Sequence, residues 1–85
     1  MHILIVEDKR SLAETLKTSL EEKGHSVVLA FDGLDGLSRA ESDRFDVMVL
    51  DIMLPGIDGL EVIRRLRKGK HQLPVLALTA RDTVG

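Results

Sequence analysis

The sequence predicts an α/β fold, a parallel β-sheet doubly wound by helices. Three observations carry this. Short apolar, β-branched runs recur along the chain, as in Ile3-Leu4-Ile5-Val6 and Val47-Met48-Val49-Leu50. Such runs suit strands covered on both faces. Between them the apolar spacing lengthens to that of amphipathic helices. The two kinds of segment alternate as β-α-β-α-β-α-β, which implies parallel strands joined by right-handed crossovers.

The first strand is His2 to Val6, halted by Glu7-Asp8. The first helix runs from about Lys9 to Lys23, with Leu12, Leu16 and Leu20 at i, i+4 and i+8 and Ala13 beside them. Gly24 suits the C′ position that ends it. Ser26 to Phe31 is the second strand. Asp32 can cap the second helix, whose inner stripe is expected to be Leu34, Leu37 and Ala40, with Asp43-Arg44 at its exit. Phe45 to Leu50 is the third strand and ends at Asp51. A loop follows, turning at Pro55-Gly56. Asp58, three residues before Glu61, reads as a helix cap. Leu60, Ile63 and Leu66 are expected to face inward from the third helix, which Gly69 ends. Leu73 to Thr79 is the fourth strand, with Pro74 tolerated at its start.

Composition bounds the function. The 85 residues suit one domain at most, and the core of so short a chain would be marginal. There are no cysteines, so disulfides and thiolate metal sites are excluded. A net charge of -2 offers no overall basic field for nucleic acid. Met1 to Val6 is far too short for a secretory signal, and no apolar run approaches a membrane span. His2, His25 and His71 are scattered rather than set at metal-ligand spacing. Arg64, Arg65, Arg67, Lys68 and Lys70 read as the solvated face and cationic end of the third helix.

The chemistry collects at one sheet edge. In parallel α/β sheets, ligands bind beyond the carboxyl ends of the strands, where strand order reverses. Glu7 and Asp8 follow the first strand, Asp51 closes the third and Thr79 the fourth. If these strands are neighbours, the four residues share a crevice. Three clustered carboxylates repel, so one keeps its proton or a cation sits among them. Hard oxygen donors suit Mg²⁺. With the ion present, Asp51 can attack phosphorus, and the Thr79 hydroxyl can donate to a phosphoryl oxygen. The competing reading makes Glu7-Asp8 a helix cap with first-turn acids and Asp51 a turn residue.

Three stretches are similar to the response-regulator receiver family: Ile3-Leu4-Ile5-Val6-Glu7-Asp8; Val49 to Gly59 with its D-x-x-x-P-G-x-D-G pattern; and Leu78-Thr79-Ala80-Arg81-Asp82. The wording resembles the OmpR/PhoB-type transcriptional regulators most, and the likeness runs the length of the chain. It implies a flavodoxin-like receiver fold in a cytoplasmic two-component system. By resemblance, Asp51 is the phosphoacceptor served by a sensor histidine kinase. Asp8 ligates Mg²⁺ directly, Glu7 acts through water, and Met53 lends its backbone carbonyl. Thr79 is the switch hydroxyl, and Pro55 and Gly56 shape the adjoining loop. The family works as a phosphoacceptor switch, not as an enzyme on an outside substrate, and its members lose the phosphoryl group by slow hydrolysis.

A whole receiver has five strands and five helices in about 120 residues. Residues 1–85 are therefore expected to form a partial receiver domain of four strands and three helices. The fifth strand with its phosphate-binding Lys, the last two helices, and any DNA-binding output domain fall outside it. An exposed edge strand and uncovered apolar surface on the first helix are expected to favour self-association or strand swapping. A dehalogenase-type phosphatase would need an acid at position 53, where Met53 stands. A flavodoxin-type cofactor module would need a small-residue phosphate loop in place of Glu7-Asp8-Lys9-Arg10. A scaffold without phosphorylation is the remaining alternative.

Overall fold

A computed structural model describes residues 1–69 and 71–78. The elements are β1 (His2–Val6), α1 (Arg10–Glu22), β2 (Ser26–Ala30), α2 (Gly33–Ser42), β3 (Val47–Asp51), α3 (Gly59–Lys68) and β4 (Val75–Leu78). All strand pairs are parallel, in the order β2-β1-β3-β4. The alternation read from the sequence is the alternation observed. Thr79, Ala80, Arg81, Asp82 and Lys70, all named above, lie outside the described residues.

Alternation along β1 explains the two layers, because successive side chains leave opposite faces of a strand. Leu4 and Val6 join one buried cluster with Ala30, Leu37, Met48, Leu50, Val62 and Leu66. Ile3 and Ile5 join the other with Val27, and Leu16 and Leu20 of α1 pack on it. Helices α2 and α3 thus cover one face and α1 the other. Beyond α1, Ile5, Leu16, Leu20, Val49, Leu76 and Leu78 line a groove of about 260 Å³. Among the described residues, no helix is long and apolar enough to cross a membrane.

Helix ends follow local chemistry. Gly24 has φ +90°, its N–H donates to Glu21 O at 3.0 Å, and the His25 N–H donates to Leu20 O at 3.2 Å. That is the Schellman arrangement expected of a C′ glycine. The Asp32 and Asp58 carboxylates accept from Asp35 N (2.8 Å) and Glu61 N (2.9 Å), capping α2 and α3. At the amino ends of the strands, His2 makes a clasp. Its ring meets Ser26 Oγ at 3.1 Å and Asp43 Oδ2 at 3.0 Å, and stacks on Phe45 with centroids 4.5 Å apart. The His2 N–H donates to Asp46 Oδ2 at 2.7 Å.

Several expectations need correction. Leu34 and Leu60 are 59% and 62% exposed, so neither lies on an inner stripe. The buried face of α2 is Gly33, Gly36, Leu37 and Ala40; that of α3 is Gly59, Val62 and Leu66, with Ile63 half-buried. At Gly33, Gly36 and Gly59 the helices sit so close to their neighbours that an added Cβ would meet atoms under 3.0 Å away. Leu12 is 42% exposed, and Ala13 is the buried residue of α1. Phe31, Phe45, Leu73 and Pro74 flank strands rather than extend them, and Asp51 is the last residue of β3. Phe45 leaves the ladder to stack on His2.

Candidate functional site

Strand order sets the position of the site. β1 is central, with β2 on one side and β3 then β4 on the other, so the order reverses at β1. Val6 pairs with Leu50, which sets Glu7 and Asp51 side by side just past the register. Asp51 in turn pairs with Leu78. Glu7, Asp8 and Asp51 each contribute a carboxylate oxygen to a group spanning no more than 4.8 Å. Glu7 and Asp51 are buried, at 4% and 2% exposure, and Asp8 is open to solvent. The sequence reading brought these three together, and so does the fold.

Backbone amides hold the two buried acids. Glu7 Oε2 accepts from Lys9 N at 2.9 Å, and Asp51 Oδ1 accepts from Met53 N at 3.0 Å. In both, the amide two residues on donates to the acid; at Asp51 this is the local pattern by which a short acidic side chain shapes a turn. The helix-cap reading of Glu7-Asp8 therefore fails. Lys9 occupies the N-cap of α1 without a capping side chain, and the first turn of α1 carries no acid.

Electrostatics sharpen the picture. The Glu7 carboxyl is pushed above its ordinary pKa, chiefly by burial; the Lys9 amide works against this, and the charges of Asp51 and Asp8 add to it. Asp51 Oδ2 is buried and has no hydrogen-bond partner among the described residues. Such an orphaned acceptor is costly unless something fills its coordination. Hard oxygens from three acids, one of them unpartnered, fit a divalent cation such as Mg²⁺.

Sequence reasoning missed the two amide contacts, although an acid at a strand end followed by a turn was a usable signal for them. It also missed the Arg10 guanidinium, 4.0 Å above the Phe31 ring near the start of α1. The expected role of Met53 was its carbonyl; its N–H is the group found on Asp51. Thr79 follows the last described residue of β4.

Comparison with known proteins gives a consistent result. The chain matches the response regulator receiver domain family over residues 3–85. It is 52% identical over 84 residues to the response regulator MprA of Mycobacterium avium, covering 99% of this chain and 37% of that protein. It is 49% identical over 83 residues to the uncharacterized transcriptional regulatory protein YkoG of Bacillus subtilis, covering 98% and 36%. The chain thus spans little more than a third of these relatives. Among solved structures, the Francisella response regulator 1452 receiver domain superposes with a TM-score of 0.91 at 35% identity, covering 98% of this chain and 69% of that one. TrrA of Thermotoga maritima, solved in complex with Mg²⁺-BeF, gives a TM-score of 0.88 at 38% identity, covering 95% and 70%. With its sheet order, its strand-end acids and these likenesses, the chain belongs to the response regulator receiver domain family of two-component signalling.

Proposed function

We propose that Asp51 accepts a phosphoryl group from a sensor histidine kinase, with Mg²⁺ held by Asp8, Asp51, the Met53 carbonyl and, through water, Glu7. The observation that carries this is Asp51 Oδ2, a buried carboxylate oxygen without a hydrogen-bond partner among the described residues, at the switch point of the sheet. In the transfer, this oxygen forms the new bond to phosphorus while the bond from phosphorus to the donor histidine nitrogen breaks. The Met53 amide holds Oδ1 and so fixes the orientation of the carboxylate, leaving Oδ2 free to attack. When bound, Mg²⁺ supplies positive charge that offsets the incoming and leaving oxygens. The structure of TrrA with Mg²⁺-BeF supports a divalent ion in this fold. Thr79 reads the modification through its hydroxyl.

The chain is a switch in this reading, not an enzyme acting on an outside substrate. Its output is transcriptional, through a DNA-binding domain outside these residues; the likeness to the transcriptional regulatory protein YkoG supports this. It works in the cytoplasm. Incubation of the full-length regulator with acetyl phosphate and Mg²⁺, followed by intact mass, should give one phosphoryl adduct that Asp51→Ala abolishes. Absence of the adduct, or its survival in the variant, would overturn the assignment. Titration with Mg²⁺ should show binding that Asp8→Ala or Asp51→Ala removes.

The 85-residue chain alone is also proposed to self-associate. β4 ends the sheet order, Leu76 is 57% exposed and Leu78 37%, and both line the groove beside α1. An open strand edge beside apolar surface invites pairing. A compact monomer in sedimentation velocity would count against it.

A further inference from the structure

We propose that Gly59 is a positioning residue for the Asp51 site, an inference that rests on the metal-dependent reading above. Gly59 is buried at the start of α3, and its N–H donates to Ile52 O at 2.9 Å. A Cβ on Gly59 would lie 2.7 Å from the Asp51 carbonyl oxygen, 2.7 Å from Ile52 Cα and 3.2 Å from Ile52 Cδ1. The two nearest atoms are backbone, so they cannot swing aside as the end of a side chain can.

The reason for glycine here is space rather than conformation. Gly24 and Gly56 are the glycines with positive φ among the described residues, and a Cβ on either meets nothing within 4 Å. Gly59 is the reverse case. Its helix rests directly on the peptide that carries Asp51. From that peptide the chain runs two residues to Met53, whose N–H holds Asp51 Oδ1 at 3.0 Å. Any side chain at position 59 pushes the 51–52 peptide and so shifts the Asp51 carboxylate relative to Glu7 and Asp8. A shared cation needs those oxygens within the 4.8 Å they now span. Displacements of about 0.5 Å are enough to impair such a constellation.

The test compares Gly59→Ala with Leu66→Ala, both made in the natural gene product. Leu66 is fully buried further along the same helix, so its truncation weakens packing and adds no atom against the 51–52 peptide. Mg²⁺ affinity is measured by calorimetry at a temperature where circular dichroism shows both variants folded. Gly59→Ala should raise the Mg²⁺ Kd about tenfold or more, and Leu66→Ala should leave it within about twofold. If Gly59→Ala is unfolded in plain buffer, the same titrations are made in trimethylamine N-oxide, which favours compact states. A Gly59→Ala variant that is folded and binds Mg²⁺ like the wild type overturns the positioning role and leaves the site reading intact. A wild type that binds no Mg²⁺ overturns both. Equal weakening in the two variants also overturns the proposal, since it would mark a general loss of packing.

Discussion

Asp51 is an acid buried among acids. It lies 2% exposed beside Glu7 and Asp8, with Oδ2 unpartnered among the described residues. Replacing it with Asn removes one like charge while keeping the shape. In the absence of divalent ions, Asp51→Asn should therefore be more stable than the wild type by about 1 kcal/mol. That is a rise of roughly 4–8 °C in Tm. Thermal melts in chelator check this, and a lowered Tm would contradict it. Added Mg²⁺ should stabilise the wild type by mass action and leave the variant unmoved. Glu61 is the opposite case. Hydrogen bonds from Arg64 and then Arg65 hold its carboxyl at about 2. A depressed folded-state pKa contributes stability above the unfolded value, and that contribution fades as pH falls through the folded one. The advantage of wild type over Glu61→Gln should be full at neutral pH, shrink below about pH 4.3, and vanish near about 2. Arg64 and Arg65 are solvent-exposed and Glu61 is partly so, so the effect is small and screened by salt. Denaturant melts across this pH range, in low and high salt, would show it.

At the scale of the element, the alternation was legible because strand and helix periods differ, and caps were legible because Asp32, Asp58 and Gly24 have one clear use each. The inner faces were less so. Ranking by apolar character selects Leu34 and Leu60, whereas the fold buries Gly33 and Gly59, their neighbours in sequence. Hydrophobicity carries no signal for close approach, where the side chain that matters is the missing one. The site was readable as a convergence of Glu7, Asp8 and Asp51 at strand ends. The amides of Lys9 and Met53 left only a fainter signal, an acid at a strand end ahead of a turn, since backbone donors leave no mark in residue type. Gly24 offers a clean measure of conformational cost. With φ +90° and open space around it, Gly24→Ala should destabilise by about 1 kcal/mol. Chemical denaturation should show this as a shifted midpoint at unchanged slope. No loss of stability would argue against the left-handed turn.

Across the whole molecule, the two ends of the sheet have separate duties. Acids crowd the carboxyl ends of the strands, and the His2 clasp joins β1, the start of β2 and the segment between α2 and β3 at the other. His2→Ala removes the bonds to Ser26 and Asp43 and the stack on Phe45 together. It should lower stability by about 1–2 kcal/mol while leaving the Mg²⁺ Kd unchanged, as paired melts and titrations would show. A shift in Kd would mean that the clasp reaches the site.

The clasp divides the labour of the fold. A knot tied at the far pole lets the charged mouth be retuned, acid by acid, without unravelling the body that carries it.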